Sequence, residues 1–215
     1  MRLPGALVLS VSLAGSPAVL AVDFGVMETA IPIENGHVKY TGFPLAIRKA
    51  AESEQDMGVT VGLGYGISER WDAELQLATY DDITFVGADL EHTFLDRGPL
   101  SMSLTAGAHY ANLDFGTQRG VDLTYIASYA LTSGSGGRKG SGFTLNTALD
   151  LARDERDLDR PTAGFQDRYS SVHLVPGLQY RVSLQVDIMG EIGVGLNDAS
   201  DDYVAIGTSY YFVER

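Results

Sequence analysis

The feature that most constrains this chain is a strict alternation of side-chain character. From Met57 to Ile67 the odd positions are Met57, Val59, Val61, Leu63, Tyr65 and Ile67. The even positions are Gly58, Thr60, Gly62, Gly64 and Gly66. A helix would scatter these two sets around its axis, whereas a strand puts them on opposite faces. The period of two returns along the chain. Trp71 to Leu77, Val86 to Phe94, Leu100 to Tyr110 and Val121 to Leu131 all show it. So do Phe143 to Leu151, Val172 to Arg181, Leu184 to Val194 and Val204 to Phe212. The stretch His37 to Arg48 adds a tenth strand, interrupted by Pro44, which suits an edge or irregular strand better than a regular central one.

Alternation alone fits a soluble sandwich as well as a membrane barrel, so three further features decide. Most of these stretches exceed the five or six residues usual in soluble sheets and suit a tilted crossing of about 9–11 residues. Tyr65, Trp71, Tyr110, Tyr129, Tyr180, Tyr210 and Phe212 fall near strand ends, where interfacial aromatic belts sit. Connections alternate between tight and long. No internal run approaches the roughly 20 apolar residues of a membrane helix. The expected fold is therefore all-β: one antiparallel up-and-down transmembrane β-barrel of about ten strands, with eight or twelve as alternatives.

Residues 1–21 read as a secretory signal: Arg2, an apolar stretch from Leu3 to Leu13, a break at Ser16-Pro17, and small residues around Val19-Leu20-Ala21. Residues 22–215 are then the barrel domain, with Ala30 to Asn35 as a periplasmic lead-in. The tight links Ile67 to Arg70, Leu95 to Pro99 and Arg181 to Ser183 belong on the periplasmic side. Arg48 to Asp56, Arg153 to Tyr169 and Asn197 to Asp202 belong outside. The Gly/Ser-rich loop Gly134 to Gly142 counts as periplasmic, although it is long for that side.

A formal net charge of -13 argues against a nucleic-acid partner. The lack of cysteine rules out disulfides and thiolate metal sites. The expected partners are outer-membrane lipid and the barrel-insertion machinery. No cofactor or metal is expected.

The end of the chain carries the sharpest short motif. Outer-membrane barrels resemble one another in a final strand patterned Gly-x-x-aromatic-x-aromatic, read during insertion. Gly207, Tyr210 and Phe212 match it. Ala205 stands where a polar residue is usual, and Val213-Glu214-Arg215 trail the last aromatic. The segments Gly64 to Leu77, Pro176 to Tyr180 and Gly193 to Asp198, with Tyr210 to Phe212, are similar to small bacterial outer-membrane barrels. These include the meta-pathway phenol degradation type. The resemblance, over residues 57–212, implies uptake of small hydrophobic or aromatic compounds.

The polar face is rich in ionisable groups. Asp72, Glu74, Asp89, Glu91, His109, Asp122, Asp150, His173, Arg181, Asp187 and Glu191 are expected to line the lumen. They serve either as a cation-favouring path or as a hydrogen-bonded plug. In a plug, Arg181 with His109 or His173 would pair several acids. His92 falls on the apolar face. Ser171 and His173 share a strand face, which raises a rim hydrolase of protease or lipid A deacylase type. No orienting acid or oxyanion hole accompanies them. The acidic groups Asp81-Asp82 and Asp198 to Asp202 read as solvated loops. The leading expectation is a non-enzymatic, porin- or transporter-like barrel of the outer membrane that takes up small compounds. A structural barrel with a packed lumen is the alternative.

Overall fold

A computed structural model describes residues 28–48, 55–80, 83–114, 116–131, 142–158 and 167–212. The signal at 1–21, the acids Asp81-Asp82, most of the 134–142 loop and the three residues after Phe212 lie outside these. The strands are β1 (Val38–Arg48), β2 (Gln55–Gly66), β3 (Trp71–Tyr80), β4 (Ile83–Arg97) and β5 (Leu100–Leu113). They continue with β6 (Gly116–Ala130), β7 (Gly142–Leu158), β8 (Arg168–Arg181), β9 (Val186–Gly195) and β10 (Asp202–Phe212). Each pairs antiparallel with its sequence neighbour, and β1 pairs with β10, so the sheet is a closed ten-strand barrel.

Pro44 sits inside this closed wall, not at an edge. The β1–β2 ladder runs unbroken past it, Pro44 facing Val59. The β1–β10 ladder stops at Gly42↔Thr208 and resumes at Leu45↔Ala205. Proline has no N–H to give, and the gap falls where that donor is missing. Pro176 produces the same gap between β8 and β9, where pairing skips from Leu174↔Val194 to Gly177↔Glu191. In β4 the register shifts between Thr93 and Leu95, leaving Phe94 as an extra residue in a bulge.

The two faces of the wall are inverted relative to a soluble protein. Leu75, Leu77 and Ile206 point outward and are 58%, 55% and 62% exposed. His173 and Asp187 point inward and are fully buried. An outward apolar belt around a polar interior is the arrangement lipid requires, because closure leaves no strand edge with unsatisfied backbone groups. Exposed aromatics gather at the end where β1 begins and β10 finishes: Tyr40, Tyr65, Trp71, Tyr129, Phe143, Tyr180, Tyr210 and Phe212. Several touch across strands. Phe143 and Tyr180 have ring centroids 4.6 Å apart. Tyr210 meets Phe212 edge-on at 4.9 Å. His92 stacks on its cross-strand partner Trp71 at 4.2 Å.

Three expectations need correction. Ala30 to Asn35 is not a lead-in beyond the barrel, because Ala30 and Ile33 are buried inside it. The expected outer loop Arg153 to Tyr169 is mostly wall: β7 continues to Leu158, paired with β6 down to Gly116, and Glu155 pairs with Arg168. The acidic group Asp198 to Asp202 is only partly solvated, since Ser200 and Asp201 fold inward and are buried. In the last two cases an inward-facing polar residue looked like a loop residue in sequence.

A charge placed on the outward apolar belt tests the inversion. Leu75→Arg is expected to destabilise the barrel by about 2–4 kcal/mol in lipid vesicles, the range for a mid-membrane arginine. Urea unfolding in vesicles measures it. On a water-facing wall the change would be close to neutral.

Candidate functional site

The lumen is the candidate site, and glycine shapes it. Gly62, Gly64 and Gly107 face inward beside carboxylates. A Cβ on Gly107 would lie 2.8 Å from Asp122 Oδ1, and one on Gly62 would collide with the Glu74 carboxylate. The small residues of β2 and β5 thus make room for the acids of β3 and β6. The register aligns those acids, with Glu74 opposite Asp89 and Asp72 opposite Glu91. Gly107 faces both Asp89 and Asp122.

Every residue expected to line the lumen lies on the inward face, and bases meet many of the acids. Lys39 Nζ lies 2.5 Å from Glu74 Oε2, both largely buried. The guanidinium of Arg181 donates through Nε and Nη2 to the two oxygens of Asp187 at 2.8 and 2.9 Å. Gln179 also donates to Asp187 Oδ2, at 2.6 Å. His109 lies between Asp154 (2.7 Å) and Asp122 (3.3 Å). Asp154 also accepts from Gln118, and Arg156 Nε donates to the Gln118 carbonyl at 3.0 Å. Arg156 Nη2 donates to Tyr169 Oη at 2.9 Å, and its guanidinium lies 4.5 Å from that ring's centroid. Asp150 accepts from Thr124 at 2.7 Å and lies 3.9 Å from His173 Nδ1. Glu191 is buried on β9.

Sequence reasoning missed Lys39, Asp154 and Arg156. Lys39 lay in the irregular first strand. Asp154 and Arg156 fell in a run of alternating charge that resembled a solvated loop. Their even spacing from Asp150 was the signal that β7 continued through them.

Residues 28–36 cross the lumen near the end where β1 begins and β10 finishes. Ala30 N–H donates to Ser128 Oγ (2.9 Å), and its carbonyl accepts from Thr93 Oγ1 (3.2 Å). Ile33 N–H donates to Asp72 Oδ2 at 2.9 Å. Thr105 Oγ1 donates to Glu28 Oε2 at 3.3 Å. Gly36 N–H donates to Gly66 O at 2.8 Å, fixing the segment's exit into β1. The space beside the segment, bordered by Lys39, Asp72 and Glu91, is about 10 Å³, room for roughly one water.

The outer half of the lumen combines the polar network of Asp154, Gln118 and Arg156 with an apolar cluster. Leu45, Ile47, Tyr80, Phe85, Leu113 and Tyr203 belong to one buried cluster. His173 packs beside it, its ring centroid 6.1 Å from that of Tyr203, and its Nε2 lies 3.0 Å from the Asp201 carbonyl. Ser171 and His173 share a face as expected, yet both are buried, at 3% and 0% exposure. Of the assembly motif, Tyr210 and Phe212 face outward, and Gly207 faces inward in the strand that closes the barrel.

This wall and interior define a transmembrane β-barrel of the outer membrane. Among solved structures, an outer membrane channel from Pseudomonas putida F1 matches over 88% of this chain and all of its own, at 7% identity and a TM-score of 0.55. The KdgM porin matches 82% of this chain and 99% of its own at 10% identity, with a TM-score of 0.44. The Acinetobacter baumannii outer membrane protein Omp33 matches 82% and 98% at 8% identity, with a TM-score of 0.42. No protein-family profile and no curated protein matches the chain in sequence.

The Lys39–Glu74 pair gives a direct test of how the lumen is held. Lys39→Met leaves a buried carboxylate without its cation and is expected to destabilise by about 3–5 kcal/mol. Adding Glu74→Leu to Lys39→Met should recover most of that loss. Urea midpoints of the three proteins in vesicles decide it.

Proposed function

We propose that this barrel is a porin- or transporter-like protein whose solute path opens only when residues 28–36 leave the lumen. The carrying observation is how the segment is held. A handful of hydrogen bonds, to Ser128, Thr93, Asp72, Thr105 and Gly66, hold it. Each such bond contributes about 0.5–1.5 kcal/mol, so displacement is within ligand-driven reach. Behind the segment stand Asp72, Glu74, Asp89 and Glu91, an acid excess that favours cations over anions. The buried aromatic residues Tyr80, Phe85 and Tyr203 would admit small apolar or aromatic solutes, the substrate class implied by the sequence resemblance. The fold shared with an outer membrane channel is compatible with this use.

A second reading has its own support. The buried apolar cluster and the compensated charges suit a barrel with a permanently filled lumen, working through its outer loops. Under both readings the protein is not an enzyme. His173 and Ser171 are enclosed, which leaves a rim hydrolase little to recommend it.

Planar-bilayer recordings separate the two. Deleting residues 22–36 should convert a nearly silent protein into a cation-selective conductor. Because the chain has no cysteine of its own, an Ala30→Cys, Ser128→Cys pair can pin the segment. The oxidised pair should be silent, and reduction should restore wild-type behaviour. A deletion variant that folds and stays silent would overturn the path in favour of the filled barrel.

A further inference from the structure

The outward face of β6, β7 and β8 changes character abruptly. Along β7 the outward positions run Phe143, Leu145, Thr147, Leu149 and Leu151, then Arg153, Glu155 and Asp157. The apolar part matches a membrane-embedded band of about 25 Å along a tilted strand. At its outer limit, away from the start of β1 and the end of β10, three arginines meet. Arg119 faces Glu155 across the β6–β7 ladder, and Glu155 faces Arg168 across the β7–β8 ladder. Arg153 lies one row closer to the membrane, opposite Val121 and Ser170.

One carboxylate arranges the group. Arg168 donates through Nε and Nη2 to Glu155 Oε1 at 3.1 and 2.7 Å. Arg119 donates through the same two nitrogens to Oε2 at 3.3 and 2.9 Å. Arg153 Nη1 donates to Ser170 Oγ at 2.9 Å. Glu155 thus spreads two guanidiniums to either side while their outer edges stay open, with side chains 74% and 65% exposed. Between them lies a cleft of about 390 Å³ bordered by Arg119, Gly120, Val121, Arg153, Asp154, Glu155 and Arg168. Asp157 and Asp167 stand beyond it, toward the β7–β8 loop.

On the outward face three guanidiniums surround one carboxylate, and the second acid at the cleft, Asp154, is buried and turned inward to His109 and Gln118, so the outward site is net positive on a chain whose overall charge is -13. Its floor is apolar and it opens sideways at the level where lipid head groups begin. Guanidinium forks match phosphate oxygens in geometry and charge. We propose that this cleft binds the phosphate of a phosphorylated glycolipid in the outer leaflet. The acyl chains would lie along Val121, Leu151 and Leu123 below. The inference is independent of whether the lumen conducts.

Native mass spectrometry of the purified full-length protein in detergent tests it. The probes are bisphosphorylated lipid A, the same lipid without phosphates, and millimolar inorganic phosphate as competitor. Retention of the phosphorylated lipid alone, undisplaced by inorganic phosphate, is expected. The Arg119→Ala, Arg153→Ala, Arg168→Ala protein should lose at least about tenfold in retention. The band shift on boiling confirms that it still folds. Should the triple variant fail to fold, Glu155→Gln carries the test, because removing the competing carboxylate should raise retention several-fold. Equal retention of both lipids, an unchanged triple variant, or weaker binding by Glu155→Gln would each overturn the proposal. Displacement by inorganic phosphate would reassign the cleft to a free anion and overturn the lipid.

Discussion

Everything in this molecule depends on one ladder, the pairing of β1 with β10. A strand edge in hydrocarbon would leave a row of backbone donors and acceptors with neither water nor protein to meet them. The Val38↔Phe212 to Arg48↔Asp202 pairing removes both free edges at once. Its one interruption falls at Pro44, and a second proline, Pro176, interrupts the wall elsewhere. Both prolines face outward, and each withholds a single donor while its other ladder runs on beside it.

Closure then dictates the chemistry of both surfaces. With lipid outside, apolar side chains need no partner there, and the polar residues of each strand are forced into a narrow interior. A narrow barrel cannot hold so many carboxylates as free ions, and the chain answers in two ways. Glycines on β2 and β5 vacate the volume the acids occupy. Lys39, Arg181, Arg156 and His109 supply positive charge or donors where the register brings acids close. The interior therefore resembles a soluble core in its packing and a salt-bridge network in its composition.

Much of this was legible in the sequence, because a period of two is a local signal and the membrane makes it obligatory. The inward placement of Asp72, Glu74, His109 and Asp187 followed directly from alternation. Partnership did not. Which base meets which acid depends on register across strands far apart in sequence, as with Lys39 and Glu74. The role of residues 28–36 was equally hidden. That segment has no period, and only its contacts with Ser128, Thr93 and Asp72, all distant in sequence, put it inside the barrel. The outer part of β7 misled for a related reason. Above the head groups both faces of a strand are polar, so Arg153 to Leu158 lost the contrast that marks a strand elsewhere.

The position of residues 28–36 also bears on the order in which the barrel can be made. They precede the first strand, yet they lie within a ring that is complete only when the first strand meets the last. Gly36 donates to Gly66 at the foot of the first hairpin, so the segment's exit is anchored by a contact local in sequence, available before any distant strand arrives. The remaining strands can then be laid around an interior that is already occupied. A barrel assembled in that sequence never presents an empty water-filled tube to the membrane, and closing the wall and blocking it become a single event.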